Sequence, residues 1–235
     1  MKKLNLLIFG STGGLGTEIC KKFSKFESNI FSVSTSKTKN LILKKKLNKI
    51  SQNSKIYEYV CDVLNENQIR KAVKTAYKKL KKIDIVIITI GFARYDGLMK
   101  LSYKQLIHDF KINLFSNLVI NSEIVKCKKS NHKMKIINIG SSSAYYGFKD
   151  TITYCSSKHG LLGAIRSMNY ETIKKNIFNY YVSMGSMKTK AGKKVRNQNY
   201  KKFIHPADIA DYIFYIANFD SNSYIEDVFF RRYDF

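Results

Sequence analysis

Leu4-Asn5-Leu6-Leu7-Ile8-Phe9-Gly10-Ser11-Thr12-Gly13-Gly14-Leu15-Gly16 is a short apolar run ended by a glycine-rich turn. A stretch with Ile19, Phe23 and Phe26 on one side comes next. The reading is strand, glycine turn, helix. Gly10, Gly14 and Gly16 are spaced G-x-x-x-G-x-G. The first allows a tight turn, and the others let backbone approach a pyrophosphate and pack the helix on its strand. Free N–H groups at the start of that helix would face the phosphates. Any strand-to-helix corner can carry glycines, so the motif gains weight only from its place among the other segments of the chain.

Further apolar runs occur in order: Ile30–Thr35, Ile56–Val60, Ile83–Ile90, Met134–Ile139, Ile177–Ser183 and Ile225–Phe230, with helical stretches between them. Continuous apolar strands suit a parallel sheet covered on both faces. At 235 residues the chain reads as one α/β domain, a Rossmann-type doubly wound parallel sheet of about seven strands. No linker, internal repeat or transmembrane span shows in the sequence. The run before Gly10 is too short for the apolar core of a signal peptide.

A second constellation lies past the middle. Tyr154-Cys155-Ser156-Ser157-Lys158 puts a tyrosine and a lysine at (i, i+4), on one helix face, with Ser141 upstream. A free phenol titrates near pH 10 and is a poor acid-base group at neutrality. An ammonium one turn away favours the phenolate and draws that value down. The phenol can then exchange a proton with a carbonyl or alcohol oxygen, and Ser141 offers that oxygen a second hydrogen bond. In a chain this rich in lysine and tyrosine the pair alone also arises by chance, as a solvated helix face.

Taken together, these segments resemble the short-chain dehydrogenase/reductase family over nearly the whole chain. Gly10-x-x-x-Gly14-Leu15-Gly16 is similar to its cofactor loop, Asp62-Val63 to its adenine-contacting pair, and Gly91 to the end of its fourth strand. Asn113 matches the family's helix asparagine, and Ser141, Tyr154 and Lys158 complete its catalytic tetrad. Gly185 and Thr189 match part of its Pro-Gly-x-x-x-Thr segment. The resemblance implies cofactor contacts from Gly10, Ser11, Thr12, Gly13, Gly14, Leu15, Gly16, Thr35, Ser36, Asp62, Val63, Gly91, Tyr154, Lys158 and Met187. It also implies a water on Asn113 that resupplies the proton through Lys158. Read from the residue alone, Asn113 could instead cap a neighbouring loop. No metal site is expected.

Within the family the chain is most similar to the 3-oxoacyl-acyl-carrier-protein reductases. Ser34-Thr35-Ser36, Gly97-Leu98-Met99 and His159-Gly160-Leu161-Leu162-Gly163 carry that likeness. Phe9, Ile88-Thr89-Ile90-Gly91, Met184-Gly185 and the tail through Arg231-Arg232 depart from the pattern. The expected activity is interconversion of a ketone and a secondary alcohol. A sugar or polyol ketone is the competing substrate, and a dinucleotide-sensing or nucleic-acid-binding relative the non-enzyme reading. A sensor need not keep Ser141, Tyr154 and Lys158 together, which disfavours it.

Cofactor choice is read at the end of strand two. An acidic residue there would bind the ribose hydroxyls and favour NAD(H). Ser34-Thr35-Ser36-Lys37 offers hydroxyls and an ammonium, which suit a 2′-phosphate, so NADP(H) is expected, with NAD(H) as the alternative. The segment 190–202, between Thr189 and the helix opening at Pro206, is polar and basic and includes Arg196. It favours a polar, anionic or carrier-bound substrate.

Forty-two basic residues against seventeen acidic give +25. Their spread along the chain, with few prolines and abundant asparagine and isoleucine, argues for compositional drift over nucleic-acid binding. The resemblance implies that His132, Lys133, Lys135, Lys174 and Lys175 could dock an acidic acyl carrier protein. The four cysteines are scattered and read as reduced thiols in a cytoplasmic protein. Apolar residues at helical spacing over Ser102–Lys126 and Ile152–Lys175 suggest a homodimer or homotetramer, although core packing also explains them.

Overall fold

The apolar run at the N-terminus forms the strand β1, Asn5–Phe9, and its alternating side chains decide how the layers sit. Leu6 and Ile8 point into one core with Ile19, Phe23, Ile209, Ile213 and Phe214. Leu7 and Phe9 point into the opposite core with Ile69, Val73, Ile120 and Ile124. A strand alternates its side chains between faces, so helices must cover both. This computed structural model describes residues 3–195, 197–221 and 223–232. Arg196, one of the cations of the basic segment 190–202, lies outside the described residues.

Six more strands join β1: β2 (Asn29–Ser34), β3 (Ile56–Val60), β4 (Ile85–Ile88), β5 (Met134–Ile139), β6 (Ile177–Met184) and β7 (Asp227–Phe230). They form one seven-stranded sheet in the order β3-β2-β1-β4-β5-β6-β7. Every neighbouring pair is parallel. The helices are α1 (Gly14–Ser24), α2 (Lys37–Ile50), α3 (Glu66–Leu80), α4 (Tyr103–Phe110), α5 (Ser116–Cys127), α6 (Ile152–Thr172) and α7 (Pro206–Asn218). The strand order reverses between β1 and β4. The crevice at the carboxyl ends of the strands there is where such sheets bind ligands.

Three local differences from the sequence reading have physical causes. The strand expected over 83–90 is confined to Ile85–Ile88, because Thr89 turns off to donate from its Oγ1 to the carbonyls of Phe9 (3.0 Å) and Gly10 (3.1 Å). The long helix expected over 102–126 starts at a capping box of Ser102 and Gln105 and is broken by a π-helical turn over Lys111–Phe115. Such turns concentrate at functional positions, and this one holds Asn113. Finally, Lys135 is not a surface cation. It is 5% exposed on β5, and its Nζ donates to the carbonyls of Ile216 (2.8 Å), Ala217 (3.1 Å) and Phe219. The negative end of α7 draws it inward, which removes it from any docking face. Lys133 pairs with Asp220 at 2.7 Å, while Lys174 and Lys175 remain exposed.

Candidate active site

The glycine loop closes tightly. Gly10 sits at φ +80 and donates to the Val33 carbonyl at 2.9 Å. A Cβ on Gly16 would lie 2.3 Å from the Gly10 oxygen, so only hydrogen fits there. Ser11 is fully buried, its hydroxyl donating to the Val33 carbonyl (3.1 Å) and receiving from Ser32 (2.7 Å). Its N–H donates to the same carbonyl at 3.2 Å, so Ser11 shapes the loop from within. Gly13 and Gly14 are exposed, Thr12 is half-buried and Leu15 is buried in the core. The N-terminus of α1 carries neither a side-chain cap nor an acidic residue in its first turn. Uncapped N–H groups and the positive end of the helix dipole suit a phosphate. The residues present therefore fit a dinucleotide pyrophosphate.

At the end of β2, Thr35 is exposed and Ser36 caps α2, its hydroxyl accepting from Lys39 N at 3.3 Å. The first turn of α2 has no acidic residue. Asp62 is exposed beyond β3. Its backbone N–H donates to Gln68 at 2.8 Å, and its carboxylate accepts from Leu64 N at 3.0 Å. Val63 beside it is half-buried.

On the other side of the switch point lies a cleft of about 450 Å³. Ser141, Tyr154, Lys158, Gly91, Met187 and Thr189 all line it. Ser141 stands just past β5, and its Oγ accepts from Ser143 N at 3.1 Å. Tyr154 and Lys158 stand one turn apart in α6. The Lys158 Nζ donates to the Ile139 carbonyl at 3.1 Å and lies 5.9 Å from the Tyr154 ring centroid. Gly91 is flanked by Lys158 Nζ and Asn113 Oδ1. Asn113 is fully buried. Its amide pairs both ways with Phe92, accepting from N at 2.8 Å and donating to O at 2.9 Å. The side chain thus pins the loop after β4.

The electrostatics differ from the sequence expectation. Burial pushes the Tyr154 phenol above its usual value, and hydrogen bonding with Ser141 draws it partly back. Burial also pushes the Lys158 ammonium down, to about 8. A dry pocket disfavours both charges, so here desolvation outweighs the pull of lysine on tyrosine. Tyr154 keeps its proton at neutral pH.

Several lining residues were not read from the sequence. Tyr95 from the β4–α4 loop, and Phe148, Lys149 and Asp150 from the loop before α6, form one wall. No periodicity or motif marks them. They come together through a parallel bridge between Asp96 and Thr151. In the basic segment, Ala191, Gly192, Val195, Asn197 and Gln198 face the cleft, whereas Lys190, Lys193 and Lys194 do not line it. Lys149, from the loop before α6, adds a cation to the cleft lining.

Comparison with known proteins bears on the family and the fold. The chain is 29% identical over 208 residues to a 3-oxoacyl-acyl-carrier-protein reductase of Buchnera aphidicola, covering 87% of this chain and 82% of that one. Its fold matches an alcohol dehydrogenase of the archaeon Thermococcus sibiricus, complexed with 5-hydroxy-NADP, at a TM-score of 0.89 with 15% identity, covering 99% and 97% of the two chains. It also matches the actinorhodin polyketide ketoreductase with NADPH at 0.87, with 16% identity and coverage of 97% and 95%. The family model described as short chain dehydrogenase matches residues 5–200, and the chain belongs to that family of oxidoreductases.

Proposed function

We propose that this protein is an NADPH-dependent reductase that converts a ketone to a secondary alcohol with Tyr154 as the proton donor. The observation that carries the reading is the convergence of Ser141, Tyr154 and Lys158 at one end of a cleft whose other border is the glycine loop. A Cβ on Gly14 would lie 2.6 Å from Thr189 Cγ2, so the loop and the cleft share a boundary. The reduced nicotinamide supplies the hydride when bound. Gly10–Gly16 and the open N-terminus of α1 hold its pyrophosphate. Thr35, Ser36 and the acid-free start of α2 favour a 2′-phosphate, in keeping with the NADP-type ligands named for the Thermococcus and actinorhodin structures.

Ser141 and Tyr154 hold the ketone oxygen between them, and Tyr154 gives it a proton as the carbon is reduced. Because burial raises the phenol, the proton is present at neutral pH, as a reductase requires. Lys158, buried beside it, has no carboxylate partner among the described residues and is free to meet the ribose of a bound cofactor. Asn113 fixes the loop that carries Gly91, and its place in a π-helical turn is consistent with a water relay to Lys158.

The favoured substrate is a 3-oxoacyl thioester on a carrier, by analogy with the Buchnera relative. A polyol ketone is second, favoured by Asn197 and Gln198 in the cleft lining. Turnover with NADPH against both classes tests the reading. Tyr154→Phe is expected to lose about 10²–10⁴-fold in kcat, the contribution of a positioned general acid, with NADPH binding retained. Near-parental turnover in that variant would remove Tyr154 from the proposed role.

A further inference from the structure

Beneath the cleft wall lies a buried ion cluster that none of the catalytic motifs includes. Asp109, near the end of α4, has no exposed surface. Its Oδ2 accepts from Arg94 Nε at 2.8 Å and from Thr153 Oγ1 at 3.0 Å. Its Oδ1 accepts from Arg94 Nη2 at 3.0 Å and lies 3.0 Å from His108 Nδ1. Each oxygen therefore has two partners, which fills the acceptor capacity of a carboxylate. Burial alone would raise the carboxyl, but Arg94, His108 and Thr153 outweigh it and hold the group below the usual carboxylate range.

The partners matter because of what they are joined to. Arg94 belongs to the loop after β4, and the next residue, Tyr95, lines the cleft close enough to Tyr154 to perturb its titration. Thr153 is the residue before Tyr154, in the first turn of α6. The same two segments meet again at the Asp96–Thr151 bridge and where Gly97 packs on Asp150. A Cβ on Gly97 would lie 2.9 Å from Asp150 Oδ1, and Asp150 itself stands at φ +60. The wall is thus one loop laid against another, with the Phe92 ring edge-on to His108 and beneath the Arg94 guanidinium. A bidentate arginine–carboxylate pair is directional where packing is not.

We propose that Asp109 is a positioning residue that clamps the 92–97 loop, through Arg94, to the first turn of α6, through Thr153, and so fixes the gap between the Tyr95 wall and the Tyr154 phenol. The inference rests on the reductase reading for its kinetic consequence. A neutral amide would fill the same space but could not accept from both arms of the guanidinium and from Thr153 together. The cofactor loop lies across the sheet at Gly10–Gly16 and shares no hydrogen bond with the cluster, so its affinity should not depend on Asp109.

The test uses the full chain and three variants: Asp109→Asn, Thr153→Val and Thr153→Ser. With the ketone that the parent turns over best, Asp109→Asn should lower kcat/KM by at least thirtyfold, while the dissociation constant for NADPH stays within twofold. Thr153→Val, which keeps the shape and loses one bond, should lower kcat at least fivefold. Thr153→Ser should restore it to within twofold of the parent. Backbone hydrogen exchange, which needs no substrate, should quicken over both 92–97 and 150–155 in Asp109→Asn while 10–16 stays unchanged. If the parent reduces no ketone, the reductase reading fails and hydrogen exchange still judges the clamp. Exchange that quickens in only one of the two segments, or equally throughout the chain, overturns the proposal. So does a Thr153→Val variant with parental kcat. If Asp109→Asn does not fold, the two threonine variants decide on kinetics and exchange alone.

Discussion

Gly16→Ala puts the glycine loop to the sharpest test. A Cβ at this position would lie 2.3 Å from the Gly10 oxygen, 2.9 Å from Ser11 Cα and 3.0 Å from the Gly10 carbonyl carbon. All three are backbone atoms, and none is free to move. The Gly10 oxygen already accepts from Gly13 N at 3.0 Å and from Thr89 Oγ1 at 3.1 Å. Ser11 is held to the Val33 carbonyl by both its N–H and its hydroxyl. An ordinary contact therefore requires the start of α1 to move by about 1 Å, and forced overpacking of that kind costs roughly 1–3 kcal/mol. For a chain of this size that lowers Tm by about 2–12 °C. The same shift takes the first N–H groups of α1 out of hydrogen-bond range of a bound phosphate. Losing one such charged bond, worth about 1.5–3 kcal/mol, weakens NADPH by roughly ten- to a hundredfold. Gly147→Ala is the control. Its Cβ would meet nothing within 4 Å, so both readings should stay at parental values. Thermal unfolding and a fluorescence titration with NADPH provide the two measurements. A Gly16→Ala protein with Tm within 1 °C of the parent and NADPH affinity within twofold would show that the loop does not hold the cofactor as argued.

Thr35→Asp places a carboxylate beside the proposed 2′-phosphate site at the start of α2 and should reverse the preference from NADPH toward NADH in a direct binding comparison. Stronger NADH than NADPH binding by the parent would refute the strand-two reading. Lys158, pushed down to about 8 by burial, releases its proton in the fold before it does so in the unfolded chain. The unfolded state therefore binds more protons between about pH 8 and 10.5, and stability should rise across that window. Urea unfolding should show this rise reduced in Lys158→Met, and an identical slope in both proteins would count against the buried ammonium. Light scattering at micromolar protein should give at least two chains, because Tyr103, Phe115, Tyr170 and Ile173 leave exposed apolar surface on α4, on the π-helical turn before α5, and at and just past the end of α6. A single-chain mass would refute that assembly.

The sequence was most legible where chemistry and geometry are both local. Glycines packed against backbone, buried strands with no polar alternation, and a tyrosine and lysine one turn apart each leave a signature within a few residues. Those signatures carried the sheet, the loop and the positions of Ser141, Tyr154 and Lys158. What was not legible depends on distant segments meeting. Nothing near Lys135 says that the carbonyl end of α7, some eighty residues on, will draw its ammonium inside, so it read as one more surface lysine. Nothing in 190–195 says which residues face the cleft, and its lysines do not line it. Asp109 sits in a helix without any motif, yet it joins a loop fifteen residues before it to a helix forty-four residues after it.

The electrostatics of the tyrosine and lysine obey the same division. Spacing gives proximity, and proximity alone argues for an ammonium that lowers the phenol. Burial is not in the spacing. Once both groups are desolvated in the cleft lining, the cost of carrying either charge exceeds what they gain from each other across a ring-to-Nζ distance of 5.9 Å. The protein without ligands therefore holds a protonated phenol beside a lysine titrating near 8, a pair set to donate a proton more readily than to accept one. A cofactor ribose entering beside Lys158 would add hydrogen-bond acceptors, which favour the ammonium. The ammonium so stabilised would then oppose the rise in the phenol. On the proposed reading, cofactor binding would thereby strengthen Tyr154 as an acid above about pH 8, where Lys158 without a ligand is losing its proton.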